Sequence, residues 1–581
     1  MFKRLMRAIK PALLGLIAMG VSSAALAQGT AAAPAANAAS YIIEYDAIHH
    51  PVVAAEGMVV SQNAIASDVG RAILAKGGNA VDAAVATGLA LAVTLPRAGN
   101  IGGGGFMLVY LAETKQTLAI EYYGAAPRGI TPTLLTGANG KLDPAKRYSY
   151  RGVAVPGTPA GFYFAQRKYG KLSWRAVVQP AVDLARRGVF VSDDMAYAFR
   201  VKAPELVRDP VAASTVYRQG QPYARGERLV QKDLAWSLAQ LRDKGADAFY
   251  HGEVGRRIVS ASAANGGVLT AQDLADYQIK VQEPLWTTYR GVKIALMPPP
   301  SAGVLLGELL NLIETFPMKD LGQNSSDSLH VLAETSKLMF ADRARYMGGY
   351  PDYVVPTQGL LSKAYARDRA ATIRMDASLP SVSLKPGDPV GFASRDTTHY
   401  SVVDRYGNAV SNTFTLGSDF GAHVMAPGTG FFLNDAVANF AWDAAQAAAE
   451  PANAPAPGKR VISTISPVIA FKDGKPWLLS GSPGGTRIMP TVAQVLVNVI
   501  DHDLNIAEAT ERPRLYQDDK GGLELEPGFP RDIARLLEAR GHRVTEGLTM
   551  GSAQSILVGD GLLHGGVDTR RPDAAALGLE P

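Results

Sequence analysis

A linker past the middle of the chain separates two kinds of hydrophobic pattern, and this division constrains the possible folds more than any other feature. The linker, residues 376–396, reads DASLPSVSLKPGDPVGFASRD and is rich in Pro, Gly, Ser and Asp. Residues 155–345, which precede it, have mostly helical patterns, as in LSWRAVVQPAVDLARRG. The residues that follow it have strand patterns. The chain therefore changes from mostly helical to strand-rich at this linker.

Two adjacent threonines, Thr397 and Thr398, stand directly after the linker. The next residues, HYSVVD, alternate as in a strand, DRYGN has turn residues, and AVSNTFT reads as the return strand. If this hairpin is regular and centred on Tyr406, Thr397 lies opposite Thr415, with Cβ atoms about 5 Å apart. One hydroxyl could then hydrogen-bond the other, although a β-bulge would shift the register.

Thr397 has two interpretations. Its β-branched side chain suits a strand, which explains most threonines in such positions. Alternatively, Thr397 is a nucleophile: a threonine at the start of a chain can use its own α-amino group, with a pKa of about 8, as general base. Because Thr397 is internal in the gene product, this interpretation requires cleavage of the Asp396–Thr397 bond.

A second strand-and-turn element is a candidate partner for such a nucleophile. The residues KDGK turn a hairpin, and the return strand WLLSG runs into Ser482, Pro483, Gly484 and Gly485, shortly before a predicted helix. Consecutive glycines near a helix N-terminus leave backbone N–H groups uncovered, and an oxyanion needs such donors. The element is either an oxyanion hole or an ordinary strand-to-helix turn, and the candidate nucleophile favours the oxyanion hole.

Two helices and a glycine loop are predicted before residue 112. In the first helix, ASDVGRAILAKGG, an apolar face contains Ile65 and Ile73. Asn79 is expected to cap the second helix, AVDAAVATGLALAVTL, which is apolar on nearly every side and therefore buried. The loop glycines 102–105 then lead into the strand FMLVYL. They could cradle an anion, but we prefer close backbone packing, because no Lys-Ser or Lys-Thr pair follows them.

The N-terminus predicts export. Residues 1–27 combine a basic head, a short apolar core and an Ala-Leu-Ala end, as in a secretory signal peptide. The alternative is an uncleaved anchor helix, for which the apolar core is short. Residues 28–40 are expected to form a flexible tether. No later run is long and apolar enough to span a membrane, so we expect a periplasmic or secreted protein without a stable membrane span.

Composition excludes several kinds of site. The chain has no cysteine, which rules out disulfides, thiolate nucleophiles and cysteine zinc sites. Although the net charge is +5, the basic residues are scattered among acids, so nucleic-acid binding is not expected. The nine histidines show no metal-ligand spacing. We expect neither a metal nor a cofactor.

Several motifs together resemble the γ-glutamyltransferase family of proenzymes: GGNAVDAAVATGLALAVT, AGNIGGGGFML, MPPPSAG, TTHYSVVD, FTLGSDFG and GSPGGTRI. The resemblance runs from about Gly57 to Asp568. It implies the α/β (α+β) fold of an N-terminal-nucleophile hydrolase, with two stacked sheets flanked by helices in four αββα layers. It also implies self-cleavage into a large subunit, residues 41–396, and a small subunit, residues 397–581.

The resemblance also assigns site residues. Thr397 matches the family's nucleophile, and Thr415 matches the threonine that supports it. The oxyanion-hole pair corresponds to Gly484 and Gly485. The family's two serines that help to hold the substrate carboxylate correspond to Ser463 and Thr464, in VISTISP.

Four positions depart from the family pattern. Tyr123 stands where the family has an arginine that clamps the glutamyl α-carboxylate. The three positions that hold the α-amino group in the family are Gly417, Ala436 and Asn439 here. Because a charge-assisted hydrogen bond contributes about 1.5–3 kcal/mol, γ-glutamyl affinity is expected to fall at least about tenfold. Tyr123 could instead stack on an apolar or aromatic acyl group, while Arg97 or Arg487 could compensate for the lost charge.

Residues 442–460, WDAAQAAAEPANAPAPGKR, lie where the family has a loop over its site. Their Ala- and Pro-rich composition suits either a mobile cover or a plain surface linker.

These observations give three functional hypotheses. The first is an exported, self-processing threonine hydrolase or acyltransferase that cleaves γ-glutamyl, glutathione-like amides and passes the acyl group to water or an amine. The second is an amidohydrolase for a different, less charged acyl group. The third, an inactive binding protein, is least favoured because both threonines and the glycine pair are present. The expected partners are the small-molecule amide, the acceptor and the protein's own two subunits.

Overall fold

The computed structural model describes residues 45–380, 396–518 and 521–581. The predicted signal peptide, the predicted tether and most of the linker lie outside the described residues. Tyr45 and Asp46 belong to an N-terminal unit, and Ala47–Pro581 form a second unit that contains all of the elements below.

Two antiparallel seven-stranded sheets form the centre of the second unit, and each contains strands from both sides of the linker. In spatial order, the strands of sheet I are β21 (Ala575–Leu579), β2 (Gly57–Ser61), β12 (Asp396–Asp404), β13 (Ala409–Gly417), β3 (Gly104–Leu111), β4 (Gln116–Glu121) and β9 (Lys280–Gln282). Those of sheet II are β1 (Val52–Ala54), β20 (Leu562–Gly566), β19 (Ser555–Gly559), β15 (Lys475–Ser480), β14 (Val468–Lys472), β11 (Val292–Leu296) and β10 (Leu285–Tyr289).

Short strands form three smaller sheets: β5 (Val189–Phe190) with β8 (Arg228–Leu229), β6 (Tyr217–Arg218) with β7 (Gln221–Pro222), and β16 (Leu515–Gln517), β17 (Gly522–Leu525) and β18 (Arg543–Glu546).

The α-helices lie mainly before the linker, as predicted. They are α1 (Ala64–Ala75), α2 (Ala80–Thr94), α3 (Pro144–Arg147), α4 (Thr158–Tyr169), α5 (Trp174–Arg187), α6 (Asp193–Leu206), α7 (Pro210–Val216), α8 (Lys232–Lys244), α9 (Asp247–Tyr250), α10 (Glu253–Ala264), α11 (Ala271–Ala275), α12 (Gly303–Ile313), α13 (Met318–Leu321), α14 (Ser326–Tyr346), α15 (Thr357–Leu360), α16 (Lys363–Ala370), α17 (Ala444–Ala449), α18 (Ile488–Ile500), α19 (Ile506–Glu511) and α20 (Arg531–Ala539).

The helices cover the outer faces of the two sheets. Helices α1 and α2 pack on sheet I, whereas α12 packs on β10 and β11 of sheet II and α19 on β19 and β20. The sheets face each other where β12 and β13 meet β15. This is the four-layer αββα arrangement that the resemblance implied, so the predicted fold class is confirmed.

Strand β3 shows why the central strands lack a simple alternation of apolar and polar residues. Phe106, Leu108 and Tyr110 belong to the core that includes the space between the sheets. The intervening residues Met107 and Val109 belong to the core under the helices of sheet I. Because the strand is buried on both faces, both sets of side chains are apolar.

Helix α2 follows the sequence prediction, while α1 differs from it. All residues of α2 are buried. In α1, Ile73 is buried as predicted, but Ile65 is 39% exposed, so the predicted apolar face was only partly right. The buried face also includes Gly70, where a Cβ atom would lie only 2.3 Å from Thr87 Oγ1 of α2. Close packing at a small residue, together with apolar content, therefore sets the orientation of α1.

A capping box begins α2. The Asn79 side chain accepts hydrogen bonds from the backbone N–H groups of Val81 (3.1 Å) and Asp82 (3.0 Å), and the Asp82 carboxylate accepts from the Asn79 N–H (3.1 Å). Asn79 Nδ2 also donates to the carbonyl of Tyr169. The start of the buried helix is thus fixed by side-chain acceptors, as the sequence predicted.

We expect Asn79→Ala to lower the free energy of unfolding by about 1 kcal/mol more than Asn79→Ser does, because serine keeps the capping acceptor. Both variants lose the bond to Tyr169, so their difference isolates the cap. The measurement is the urea unfolding midpoint. Equal midpoints for the two variants would contradict this role of the cap.

Candidate active site

The predicted threonine hairpin is present. Its Cα pairing from Thr398↔Phe414 to Val403↔Ala409 has the predicted register, and a bulge shifts the register between Asp396 and Thr398. Despite the bulge, Thr397 Oγ1 donates a hydrogen bond to Thr415 Oγ1 at 3.3 Å. Both threonines are buried. The predicted contact between the two hydroxyls is therefore confirmed.

The glycine loop before β3 packs tightly against this threonine pair. A Cβ atom on Gly103 would lie 2.0 Å from the carbonyl oxygen of Thr415, and one on Gly102 would lie 2.2 Å from that of Phe432. A side chain at Gly103 would displace the backbone that carries Thr415, and one at Gly102 would displace the backbone at Phe432. The preferred interpretation of the loop, close packing of backbones, is confirmed for these glycines.

The second glycine pair follows β15. Gly484 and Gly485 have φ of +131° and +61°, a region that strongly favours glycine. Gly484 is the N-cap of a 3₁₀ turn that begins at Gly485 and leads into α18. Within the part of the chain that the structure describes, their N–H groups donate no hydrogen bond. These two uncovered donors match the chemical requirement of an oxyanion hole.

The end of β15 lies along the hairpin face that carries Thr397. Ser411 Oγ donates to the carbonyl of Ser480 at 3.2 Å. One residue later, a Cβ atom on Gly481 would lie 2.4 Å from His399 Nδ1. His399 contacts Thr413, and Thr397 contacts Thr415, which lies two residues later on the same face of β13. The chain therefore runs toward the threonine pair as it approaches Gly484.

Three of the predicted substrate residues meet at one hydroxyl. Asn439 Nδ2 donates a hydrogen bond to the hydroxyl of Tyr123 at 3.4 Å, and the Ser463 side chain lies near enough to that hydroxyl to lower its pKa. The Tyr123 ring is buried and stacks on Phe106, with ring centroids 5.2 Å apart. Burial raises the pKa of Tyr123 above its ordinary value, so the phenol stays neutral. Thr464 is buried next to Ser463 in the chain.

The four positions that depart from the family pattern also lie together. A Cβ atom on Gly417 would lie 3.6 Å from the Ala436 nitrogen, and one on Gly124 would lie 3.7 Å from Ala436 Cβ. Gly124 directly follows Tyr123, which contacts Asn439. The substitutions therefore change one continuous region beside Thr415 rather than four separate ones.

A buried ion pair that the sequence did not reveal lies in the same region. Arg147 Nε donates to Asp435 Oδ2 at 2.8 Å, and Arg147 Nη2 donates to Ser418 Oγ at 2.6 Å. Asp435 is adjacent to Ala436, which could have drawn attention to it. Arg147 is 288 positions away from Asp435 in the sequence, and no motif around it marks it as a site residue.

The two arginines that we expected to compensate for the lost charge are already paired. Arg97 forms ion pairs of 3.0 Å with Asp194 and Asp419. Arg487 pairs with Glu524 at 2.5 Å. Neither pairing supports the expectation that one of these arginines holds a substrate carboxylate, whereas Arg147 lies beside the four altered positions.

Residues 442–460 form a wall beside Tyr123 and Asn439. Trp442, Asn453 and Arg460 are buried. Asn453 Nδ2 donates to the carbonyl of Asn439 at 2.9 Å, and Arg460 Nη1 donates to that of Tyr123 at 2.6 Å. The interpretation as a plain surface linker was therefore wrong, while its role as a cover stays a prediction.

One group of potential metal ligands was missed because one of its members, His542, is distant in sequence from the other two. His330 and Glu334, on α14, lie beside His542. A lysine side chain supplies a positive charge to this group, since Lys337 Nζ donates to Glu334 Oε1 at 2.8 Å. His330 Nδ1 lies 2.8 Å from His542 Nε2, so a hydrogen bond joins the two rings.

His399 is enclosed beside the threonine pair. Its ring nitrogens lie 2.7 Å from Thr413 Oγ1 and 3.1 Å from Ser401 Oγ. Burial lowers the pKa of His399 from 6.5 to about 3. The imidazole is therefore neutral near pH 7, and it bridges two hydroxyls as a structural group.

The depressed pKa of His399 predicts a dependence of stability on pH. Between the folded value of about 3 and the unfolded value of 6.5, the unfolded chain binds more protons, so stability falls as the pH falls through this range. We expect His399→Gln to make thermal unfolding midpoints between about pH 7 and about pH 4.5 less steeply dependent on pH. If the unfolding midpoints of the variant and the wild type depend equally steeply on pH, this role of His399 is contradicted. The comparison uses slopes, because the substitution also changes packing.

Comparisons with known proteins identify the family of the chain. The family model described as Gamma-glutamyltranspeptidase matches residues 66–578. The chain is 42% identical to the glutathione hydrolase proenzyme of Escherichia coli (strain K12), over 98% of this chain and 100% of the relative. It is 40% identical to the acylase ACY 1 proenzyme of Pseudomonas sp. (strain SE83), over 85% of this chain and 88% of the relative.

Solved structures show the same relationship. The cephalosporin acylase from Bacillus halodurans has a TM-score of 0.84 at 30% identity, covering 94% of this chain and 99% of that chain. The Helicobacter pylori gamma-glutamyltranspeptidase has a TM-score of 0.55 at 36% identity, covering 59% of this chain and 97% of that chain. The chain therefore belongs to the gamma-glutamyltranspeptidase family, and it is a hydrolase and transferase of that type with an N-terminal-nucleophile hydrolase fold.

Proposed function

We propose that Thr397 is the catalytic nucleophile of a self-processing amide hydrolase and acyltransferase. The observation that carries the proposal is the hydrogen bond between the buried hydroxyls of Thr397 and Thr415, in a chain whose relatives are named proenzymes. Cleavage before Thr397 separates a large subunit that ends at residue 396 from a small subunit, residues 397–581.

The chemistry follows from the position of Thr397. In the precursor its hydroxyl attacks the preceding carbonyl, that of Asp396, and the Asp396–Thr397 peptide bond breaks to give an ester and a free α-amino group. Water then hydrolyses this ester, which releases the Asp396 carboxylate and restores the Thr397 hydroxyl. In the mature enzyme this amine accepts the hydroxyl proton while Oγ1 attacks the amide carbonyl. The amine product leaves with that proton, and water or another amine then takes the acyl group from the ester. The N–H groups of Gly484 and Gly485 stabilise the oxyanion in each addition step.

Two classes of acyl group are candidates. The first is the γ-glutamyl group of glutathione-like amides, which the name of the Escherichia coli relative supports. The second is an acyl group without a charged α-amino-acid head. The altered positions Tyr123, Gly417, Ala436 and Asn439 favour this second class, because no charged side chain remains at any of them. The charge nearby, on Asp435, is neutralised by Arg147.

An exported location is part of the proposal and rests on the sequence of residues 1–27. Across the described ranges, the structure contains no helix that is both long and apolar enough to cross a membrane. An inactive binding protein is disfavoured, because a binding role requires neither the threonine contact nor the uncovered glycine amides.

Purified wild-type protein is expected to run as two fragments, and the smaller should begin Thr-Thr-His-Tyr-Ser. Thr397→Ala should remain one chain, because it lacks the attacking oxygen. The matched control is Thr398→Ala, which changes the neighbouring threonine on the opposite strand face and should still be cleaved. The measurements are denaturing electrophoresis and N-terminal sequencing. A different N-terminus, or an active uncut chain, would overturn the proposed nucleophile.

Substrate preference is expected to favour an uncharged acyl group. We expect kcat/KM for a γ-glutamyl anilide to be at least about tenfold lower than for a matched uncharged acyl anilide. Tyr123→Arg combined with Asn439→Asp should reduce this difference. Gly417 is kept, because a Cβ atom there would lie 2.0 Å from Asp435 Oδ1. If the wild-type enzyme prefers the γ-glutamyl anilide to every uncharged acyl anilide tested, the second class is excluded.

A further inference from the structure

We propose that Asp435, held by Arg147 and Ser418, is a positioning residue that fixes the Gly417 N–H group on the hydroxyl of Thr415. The inference rests on the proposed function, because it matters only if Thr415 supports Thr397 in catalysis. Asp435 acts through the backbone on either side of Gly417 rather than by touching the reacting atoms.

Asp435 holds the chain on both sides of Gly417. Its backbone N–H donates to the carbonyl of Leu416 at 2.9 Å. Its carboxylate oxygen Oδ1 accepts from the backbone N–H of Ser418 at 2.8 Å. The two peptide units that flank Gly417 are therefore both bonded to the same residue.

The first of these bonds sets the direction of the Gly417 N–H. The Leu416 carbonyl and the Gly417 N–H belong to one planar trans peptide and point in opposite directions. When Asp435 holds the carbonyl on its own side, the N–H must point away from Asp435. It does so, and donates to Thr415 Oγ1 at 2.8 Å.

Glycine at position 417 makes this arrangement possible. Its φ is +104°, a conformation that L-residues with side chains rarely adopt. A Cβ atom there would also lie 2.0 Å from Asp435 Oδ1. The carboxylate thus occupies the space that a side chain at position 417 would fill.

Arg147 and Ser418 lock the carboxylate in place. Ser418 Oγ donates to Asp435 Oδ2 at 2.8 Å and accepts from Arg147 Nη2 at 2.6 Å, while Arg147 Nε donates to Oδ2 at 2.8 Å. These bonds close a ring. The Asp435 side chain is only 1% exposed, and a buried carboxylate requires such a partner. Burial lowers the pKa of the Arg147 guanidinium, but the charge of Asp435, its hydrogen bond and Tyr148 together raise this pKa by more. Arg147 therefore stays charged.

The direction of the Gly417 N–H determines how the hydroxyl of Thr415 is held beside Thr397. Thr415 Oγ1 accepts one hydrogen bond from Gly417 N–H and one from Thr397 Oγ1. If the peptide turned, Thr415 would lose its fixed donor, and its hydroxyl could rotate away from Thr397. A residue that positions Thr415 in this way affects the chemical step more than substrate binding, so its loss lowers kcat and leaves KM nearly unchanged.

The main test is Asp435→Asn, which keeps the shape but weakens the ring of bonds. We expect the rate of self-cleavage and the kcat of the processed enzyme to fall about tenfold or more, with KM changed less than about twofold. The matched control is Asp501→Asn. Asp501 is also buried and is bonded to an arginine, Arg290 (2.8 Å), and a hydroxyl, that of Tyr289 (2.5 Å), but it lies at the far end of α18. The control should keep the wild-type rates.

A double-mutant cycle with Thr415→Val distinguishes positioning from a general structural effect. If Asp435 acts through Thr415, adding Asp435→Asn to Thr415→Val should cause little further loss of kcat. Losses that multiply would overturn the proposal, as would a rise in KM at constant kcat, which would place Asp435 in substrate binding. If Asp435→Asn does not fold, Ser418→Ala takes its place in the same cycle with the same criteria.

The wild-type control separates this proposal from the proposed function. Failure of the wild-type chain to cleave before Thr397 would remove the proposed function itself. Normal wild-type cleavage together with wild-type rates in Asp435→Asn would leave the nucleophile in place and disprove the positioning role.

Discussion

The pairing of β12 with β13 is the interaction on which the rest of the structure depends. These strands follow the linker, yet their outer neighbours in sheet I, β2 and β3, precede it. A cut before Thr397 would therefore leave the β12–β13 hairpin of the small fragment hydrogen-bonded between β2 and β3 of the large fragment. The same pairing places Thr415 against the glycine loop, so the sheet that joins the two fragments also builds the candidate site.

The sequence revealed the parts of this arrangement that depend on local forces. Turn residues and strand alternation predicted the hairpin register from Thr398 onward, and the cap at Asn79 followed from the preference of helix N-termini for side-chain acceptors. The bulge at Thr397 was only a stated alternative, because its position depends on how the chain enters the sheet rather than on local preference.

Features that depend on long-range contacts could not be predicted in this way. The predicted face of α1 was right at Ile73 but wrong at Ile65, because close packing at Gly70 also sets which face is buried. Arg147 and Asp435 are separated by 288 positions, and the turn residues around either one do not indicate the other. The family resemblance identified the altered positions but not the ion pair beside them, since that pair is formed by residues outside the quoted motifs.

The altered positions also show which parts of such a site can change independently. The proposed oxyanion donors and the donor to Thr415 are backbone N–H groups, whose directions depend on chain conformation rather than on side-chain identity. Groups that recognise a substrate's charge are side chains, and one substitution removes them. The catalytic geometry can therefore persist while recognition changes, provided that the backbone is held. At Gly417 it is held by a buried Asp435 whose charge Arg147 compensates. In this region a charge that serves the backbone therefore lies beside four positions, Tyr123, Gly417, Ala436 and Asn439, that carry no charged side chain.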